Sequence, residues 1–262
     1  MTVAAFEWLN SGNNLSFILE GFAINLEIAL VAIVISLAAG LALALMRLSR
    51  NRLVSTAAGL WIDLFRNLPL LLLILFLFLW IPQGWRSVWE SAMPGWAPEA
   101  FQSGLMLAGL SGLVLYNSAV LAEIMRAGIL SLPRGQAEAA SALGLSYRQS
   151  MMHVVLPQGL RRMVPATVSQ LITLNKDTTL VSIIAITEVM RRARTVTATS
   201  GNPFTGGGVD APILEVFIFV GLLFIAVNFA LSRLSKRLEV RERRRSGSVP
   251  KPQVRGLEEQ VA

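Results

Sequence analysis

Four consecutive polar residues interrupt an apolar stretch in the second half of the chain: Lys176, Asp177, Thr178 and Thr179. Charged groups are costly inside a bilayer and usually serve a function there. If the helix is broken at this point, an ammonium group, a carboxylate and two hydroxyls could meet the opposite charges of a zwitterion. Because adjacent residues do not share a helix face, the four could instead belong to a buried ion-pair network that fixes helix packing.

Other polar residues lie in similarly apolar surroundings. Gln170 precedes Lys176 by six residues, and we expect the two to face roughly the same side of one helix, with Thr173 on the same pathway. Glu123 and Arg126 are three residues apart, so they can pair on one helix face. Their position near a helix end favours a structural or gating pair over a substrate contact.

Residue types that most enzymes and metal sites need are scarce. The chain has no cysteine and a single histidine, His153, which excludes a disulfide framework, a cysteine nucleophile and a zinc site. The apolar stretches hold no paired carboxylates, so we predict no catalytic residue and no metal site. The sequence has no G-x-x-x-x-G-K-[ST] phosphate-binding loop, and no lysine follows a glycine. We therefore expect that the chain does not bind or hydrolyse ATP alone.

The composition is that of a membrane protein. Of 262 residues, 54% are hydrophobic and 15% charged, with a mean hydropathy of +0.59, whereas soluble domains carry about a quarter charged residues. A helix crosses a bilayer with about 20 apolar residues. Stretches of this kind lie at about 26–46, 68–81, 104–124, 164–186 and 212–234, the second helix beginning as early as Val54. We therefore predict an all-α integral membrane protein with five transmembrane helices.

The distribution of arginine predicts the orientation, since inside loops are enriched in Lys and Arg. Segments 47–66 and 126–162 and the end of the chain are basic, whereas the N-terminus and segment 82–103 are not. This pattern, with a net charge of +7, places the N-terminus outside and the C-terminus inside, and it argues against a nucleic-acid partner. Segment 187–210 disagrees, because it should be outside but carries three arginines that could mark a partly embedded, functional helix: Arg191, Arg192 and Arg194.

Three regions follow from this topology. Residues 1–20 form an extracytoplasmic N-terminal segment, and residues 21–239 form the transmembrane domain. Residues 240–262 are polar and contain Pro and Gly, so we predict a disordered cytoplasmic tail whose arginine cluster meets membrane lipid.

The inside segment 131–163 is too long and too patterned for a simple connection. Pro133 ends the third span, and Gly144 suits a left-handed position at the end of the short helix that follows. Ser146 and Gln149 have capping-box spacing for a second helix, which we expect to end at Pro157. Apolar residues along this segment either dock a partner or pack on the membrane domain.

This segment resembles the EAA loop of bacterial ABC importer permeases. The family pattern is EAA, three residues, G, nine residues, then I-x-L-P, and the chain departs from it only by Val154 in place of isoleucine. Segments 66–70 (RNLPL), 122–129 (AEIMRAGI) and 176–181 (KDTTLV) resemble the polar amino acid subfamily. The resemblance implies a type I ABC importer permease fold with a cytoplasmic coupling helix. The matching loop residues are Glu138, Ala139, Ala140, Gly144, Leu156 and Pro157.

The resemblance also implies partners. Two permease subunits, the second being the same chain or a paralogue, would form the pathway in the cytoplasmic (inner) membrane of a bacterium. A dimer of ATPase subunits would bind ATP and Mg²⁺, so no cofactor is expected on this chain. A periplasmic or lipid-anchored solute-binding protein would deliver a polar amino acid. The helix before Gly144 would sit in a groove of the ATPase, and Gly144 would let the two backbones approach closely.

The resemblance bears on the substrate as well. In subfamily members that carry basic amino acids, an acidic residue is common at the position of Gln170, where it would suit a cationic side chain. An amide there favours glutamate, glutamine or another polar amino acid over arginine, lysine or histidine. A channel or secondary transporter without an ATPase is the alternative. It would explain the spans and the intramembrane charges, but it gives no reason for the EAA loop.

Overall fold

A computed structural model describes residues 7–10, 13–199 and 213–245, and all regular structure in these ranges is helical, as predicted. The α-helices are α1 (Glu7–Asn10), α2 (Asn14–Arg47), α3 (Arg52–Asn67), α4 (Leu70–Trp80), α5 (Gln83–Ala92), α6 (Glu99–Gln102), α7 (Leu105–Leu130), α8 (Arg134–Ala142), α9 (Tyr147–Ser150), α10 (Leu156–Asp177), α11 (Val189–Thr199) and α12 (Ile213–Arg245). A π-helical turn, Met151–Val155, joins α9 to α10, and a 3₁₀ helix, Thr178–Ile184, follows α10.

Three of the described helices are long and apolar enough to cross a bilayer: α2, α7 and the part of α12 up to Arg241. They correspond to the first, third and fifth predicted spans. The first begins at Asn14, well before the predicted start near Leu26. These helices are predictable because a long apolar run without proline contains no residue that would end a helix.

The second predicted span is bent. α3 and α4 meet at an angle of 103° across Leu68 and Pro69. Proline disfavours helical backbone in the residue before it, and Leu68 is extended, with φ −77° and ψ 136°. α4 has 11 residues and is therefore about 16 Å long, roughly half the thickness of the hydrocarbon core. It cannot cross the bilayer without α3.

The predicted boundaries of the fourth span, 164–186, are wrong. α10 begins at Leu156 and gives way to the 3₁₀ helix at Thr178. It is not among the described helices that are apolar enough to cross a bilayer alone, because polar side chains recur along its length. The described residues thus hold three candidate spans, or four if α3 and α4 count as one, and five are not confirmed.

α7 lies at the centre of the fold and packs against α2, α3, α4 and α10. Its crossing with α10 is close at Gly128 and Gly159. A Cβ on Gly159 would lie 2.8 Å from Cγ1 and 3.0 Å from Cα of Ile129, and a Cβ on Gly128 would lie 2.9 Å from the Gly159 carbonyl oxygen. Glycine permits this approach, as small residues do at many membrane helix crossings. α10 is thereby held against α7.

The end of α12 departs from the predicted regions. The helix continues to Arg245, so the disordered tail predicted from residue 240 begins too early. Residues 246–262 lie outside the described residues, and so do residues 1–6, 11–12 and 200–212.

Candidate functional site

The first half of the EAA-like loop has the conformation that the sequence predicts. α8 ends at Ala142, and Gly144 follows with φ +79°, in the left-handed region. The backbone N–H of Leu145 donates to the carbonyl oxygen of Ala140 at 3.2 Å, and the N–H of Gly144 donates to that of Ser141 at 3.0 Å. These two bonds are those of a Schellman motif, in which glycine is favoured because it has no Cβ to strain.

The second half begins as predicted but does not end as predicted. The Ser146 N–H donates to Oε1 of Gln149 at 2.9 Å, and the Gln149 N–H donates to Oγ of Ser146 at 3.4 Å, which completes a capping box. The prediction that this helix ends at Pro157 is wrong. The π-helical turn shifts the hydrogen-bond register, so Pro157 falls in the first turn of α10, where its missing N–H is tolerated.

The loop presents one side to solvent. Glu138, Ala139 and Gly144 are exposed, and the side chain of Leu143 is 82% exposed. Ala140 is buried, so it packs within the chain rather than facing outward. An exposed leucine beside the helix end is an apolar contact that this chain leaves uncovered.

Hydrogen bonds and a cation–π contact join the loop to the membrane helices. Tyr147 Oη donates to the carbonyl oxygen of Leu48 at 3.4 Å, and the Arg50 guanidinium lies 4.2 Å from the Tyr147 ring centre. Arg162 Nη1 donates to the carbonyl oxygen of Ser131 at 2.8 Å. α9 also runs through the π turn into α10, so the loop and α10 are joined by continuous helical backbone.

Glu123 and Arg126 pair as predicted. Arg126 Nη2 lies 2.9 Å from Glu123 Oε2, and its Nε donates to both carboxylate oxygens at 3.1 Å. The pair is partly exposed near the end of α7. Asp63 and Arg66 of α3 form a longer pair of 3.8 Å, and Arg66 is near enough to Glu123 to interact with it. The C-terminal parts of α3 and α7 therefore share a charge cluster.

Lys176 and Asp177 lie where α10 tightens into the 3₁₀ helix. Lys176 is exposed and Asp177 half-buried. Neither side chain makes a hydrogen bond or an ion pair within the described residues, so the structure does not place them in an ion-pair network there. No group of three His, Cys, Asp or Glu side chains in the described part of the chain could hold a metal ion.

The threonines predicted for the pathway lie differently from one another. Thr178 is fully buried, accepts a hydrogen bond from Asn25 Nδ2 at 2.9 Å and donates to the carbonyl oxygen of Asn175 at 2.7 Å. Thr173 and Thr179 are half-buried and donate to the backbone of their own turn, at 3.4 and 2.8 Å. The hydroxyl of Thr178 is thus engaged in packing, whereas the other two lie nearer the surface.

Gln170 turns toward α7, where its Nε2 donates to Asn117 Oδ1 at 2.8 Å. The expectation that it faces the same side as Lys176 is wrong. Six residues turn an α-helix by about 600°, which leaves the two side chains about 120° apart. The structure therefore brings Gln170 to a half-buried position between α7 and α10, while Lys176 points outward.

A buried polar network was not found from the sequence. Asn25 of α2 donates to Glu188 Oε2 as well as to Thr178, each at 2.9 Å, and it accepts from the Val189 N–H at 3.0 Å. Glu188 also accepts from the Arg191 N–H at 2.9 Å. The sequence offered one signal for this network, Glu188 next to an apolar stretch. Its partner Asn25 is 163 residues away, so no local pattern connects the two. The network joins α2 to the segment between α10 and α11.

The arginine-rich segment in the predicted outside loop forms α11, which packs on α2. Arg192 is 8% exposed, and its Nη1 lies 2.8 Å from Glu20 Oε2 and 2.9 Å from the Phe17 carbonyl oxygen. Its guanidinium also lies 4.6 Å from the Phe17 ring centre. Arg191 and Arg194 are exposed. At least one of these three arginines therefore has a packing role.

Comparison with known proteins agrees with this arrangement. Residues 13–244 match the family described as "Binding-protein-dependent transport system inner membrane component". The chain is 35% identical to the probable glutamine ABC transporter permease protein GlnP of Bacillus subtilis (strain 168), covering 88% of this chain and 96% of that protein. It is 34% identical to the arginine transport system permease protein ArtQ of the same organism, covering 85% and 91%.

The fold is also similar to that of a solved structure. A chain in the crystal structure of an amino acid ABC transporter with histidines superposes with a TM-score of 0.71 and 26% identity. The match covers 92% of this chain and all of that one.

Proposed function

Because the chain belongs to the family of binding-protein-dependent transport system inner membrane components, and is thus a permease subunit of an ABC importer, we propose that it moves a polar L-amino acid. It is a multi-pass protein of the inner membrane. Glutamate and glutamine are the substrates that we favour over basic amino acids.

The proposal depends most on Lys176 and Asp177. Neither side chain makes an ion pair or a hydrogen bond among the described residues, although the two adjacent charges interact with each other, and they stand where a regular helix gives way to a tighter one. A charge at membrane depth needs a counter-charge or water. The carboxylate and ammonium groups of an amino acid would supply counter-charges to both residues. Thr173 and Thr179 would complete the pathway on the same stretch.

Gln170 supports the choice among amino acids. Its amide is held by Asn117, which fixes one end of the group and leaves its carbonyl oxygen without a described hydrogen-bond partner. A neutral amide suits a polar side chain and offers no negative charge to a cationic one. Overall identity does not decide the question, since the glutamine and arginine relatives are 35% and 34% identical to this chain.

The motor would lie on another chain. Glu138, Ala139 and Gly144, with the exposed Leu143, would dock in a groove of an ATPase subunit, and ATP with Mg²⁺ would bind there rather than here. Closure of two ATPases would push the loop, and α10 would follow because α9, the π turn and α10 are continuous. Two permeases, identical or paralogous, would then rock between outward and inward openings. A separate binding protein would load the substrate.

The proposed topology has five crossings with the N-terminus outside. The bridge between Glu20 and Arg192 supports it, because it places α11 beside the N-terminal part of α2, on the proposed outer side. Since the chain lacks cysteine, single-cysteine variants at Thr197 and Ser141 can be labelled in whole cells with a membrane-impermeant maleimide. Labelling of Thr197→Cys but not Ser141→Cys is expected, and the reverse would overturn the orientation.

Competition for uptake tests the substrate proposal. Proteoliposomes holding the complete importer would take up labelled glutamine, and excess glutamine or glutamate is expected to compete more strongly than arginine or histidine. Stronger competition by arginine would overturn the preference. Failure of every amino acid to compete or to be transported would overturn the substrate class.

A further inference from the structure

The C-terminal part of α12 carries a basic surface that the transport cycle described above does not use. It borders a shallow cavity of about 580 Å³, lined by Phe229, Arg233, Lys236, Arg237, Val240 and Arg241. The four cationic side chains are exposed, and no described carboxylate lines the cavity. The Arg233 guanidinium lies 4.7 Å from the ring centre of Phe229. We call these six residues the basic face.

The basic face points away from the rest of the chain. At about 100° per residue its members fall within roughly 140° of the helix circumference, and they rise about 12 Å from Arg233 to Arg241. The opposite side of α12 packs on α10. There Ser235 Oγ donates to the Pro165 carbonyl oxygen at 3.1 Å, and Asn175 Nδ2 donates to Asn228 Oδ1 at 3.0 Å.

Toward the N-terminus, the same side of α12 is apolar and uncovered. Its side chains are 47%, 52%, 64% and 56% exposed at Ile218, Leu222, Ile225 and Phe229. The change from apolar to basic residues falls between Phe229 and Arg233. A helix that leaves the hydrocarbon core for the headgroup layer shows this change. That layer is about 5–7 Å thick on each side, so a basic face of about 12 Å extends through it.

We propose that the basic face binds the headgroup of an anionic phospholipid, whose acyl chains lie along the apolar residues from Ile218 to Phe229. Guanidinium groups bind phosphate oxygens in bidentate fashion, and the cavity offers three of them. Charge complementarity selects a negatively charged headgroup over a zwitterionic one. Because the other side of α12 is bonded to α10, the bound lipid holds the pathway helix in place.

Lipid retention by the purified importer tests the proposal without any need for transport. The complex is purified in detergent, supplied with equal amounts of phosphatidylglycerol and phosphatidylcholine, and examined by native mass spectrometry. We expect preferential retention of phosphatidylglycerol. Each cation changed to glutamine, at Arg233, Lys236, Arg237 or Arg241, should weaken it about fivefold. Equal retention by the fourfold glutamine variant would overturn the proposal.

Two matched variants and one functional measurement complete the design. The variant R233K/R237K/R241K keeps the charge and should retain most of the lipid. The variant R191Q/R194Q removes exposed cations from α11 and should retain all of it. In proteoliposomes, uptake should rise when phosphatidylglycerol replaces part of the phosphatidylcholine, and the fourfold variant should not respond. If the fourfold variant keeps its lipid but loses its ATPase subunit during purification, the basic face binds protein and the proposal is wrong.

Discussion

At the scale of single residues, four charged side chains of the described residues fall into two groups. Glu123 and Arg192 each have a partner, at 2.9 and 2.8 Å. Lys176 and Asp177 form no ion pair or side-chain hydrogen bond among the described residues, although their adjacent charges interact. A paired charge stabilises packing, whereas a charge without a protein partner at membrane depth must be met by water or substrate. The difference separates structural charges from the proposed pathway.

Replacing Lys176 tests that separation. Lys176→Met should lower amino acid uptake by about tenfold or more, because a hydrogen bond to a charged group contributes about 1.5–3 kcal/mol. Assembly with the ATPase should be unchanged, since the side chain is exposed. Arg52→Met, which removes an exposed cation at the start of α3, is the control and should transport normally. Normal uptake by Lys176→Met would exclude a substrate contact.

Gln170→Glu tests the substrate preference. A carboxylate at this position should admit arginine or lysine and weaken uptake of glutamate, because like charges repel and opposite charges attract. Competition with labelled substrate measures the change. Gln83→Glu adds the same charge at an exposed position of α5 and should leave the substrate range unaltered. If Gln170→Glu also leaves the substrate range unaltered, Gln170 does not determine substrate preference.

Residue identity indicated candidate pathway residues, but not what each side chain contacts. Lys176 and Asp177 stand out because charges are rare in apolar stretches. The bond between Asn25 and Glu188 joins positions 163 residues apart, which no local pattern reveals. Likewise, Thr178 has the same hydroxyl as Thr179, yet it is buried against Asn25 and its neighbour is not.

At the scale of elements, the EAA-like loop depends on the backbone of Gly144. Its φ of +79° strains any residue with a Cβ by about 1–2 kcal/mol, while no atom lies within 4 Å of the site where that Cβ would stand. Within this chain, the left-handed backbone of residue 144 explains why it is glycine, and a lack of room for a side chain does not. Close packing against an ATPase would be a second, separate reason.

Three substitutions separate the two reasons. Asparagine tolerates the left-handed region, so Gly144→Asn should transport nearly normally if conformation alone matters, and poorly if the ATPase also packs closely there. Gly144→Trp should abolish uptake while the affinity of the binding protein for its substrate stays unchanged. Gly135→Ala, in open space on α8, is the control and should transport normally. Normal uptake by Gly144→Trp would exclude the coupling role.

The crossing of α7 and α10 gives a prediction about stability. Gly159→Ala places a methyl group 3.0 Å from the Cα of Ile129, and overpacking of this kind destabilises by about 1–3 kcal/mol. The melting temperature of the purified importer should fall. Gly221→Ala, on α12 with no atom within 4 Å of the new Cβ, should leave it unchanged or raise it slightly. Equal melting temperatures for the two variants would contradict the close approach.

Helix ends were predictable where their signals are local. The Schellman motif at Gly144 and the capping box at Ser146 depend on residues within a few positions of each other. The prediction that a helix ends at Pro157 was wrong because a π-helical turn, for which the sequence has no evident signal, places this proline in the first turn of α10. The bend at Pro69 was missed because one helix from near Val54 to Ile81 was predicted, although the polar residues Arg66 and Asn67 directly precede the proline.

At the scale of the whole molecule, the sequence predicted an all-helical membrane protein because the apolar content and the length of each apolar run can be read from neighbouring residues alone. The number of membrane crossings is harder to predict from the sequence. α10 is long but polar, and it finds its neighbours in α7 and α12 rather than in lipid alone. A polar helix that packs against α7 and α12 is consistent with the proposed pathway along α10 and with its continuous connection to the EAA-like loop.

We propose that this chain transports only when another chain supplies ATP hydrolysis. Uptake of labelled glutamine into proteoliposomes tests this proposal, with the permease, its ATPase and its binding protein reconstituted together or with the ATPase left out. We predict uptake that requires both ATP and the ATPase, and that an imposed proton or sodium gradient cannot replace them. Gradient-driven uptake by the permease in the absence of ATP would contradict the claim and identify a secondary transporter.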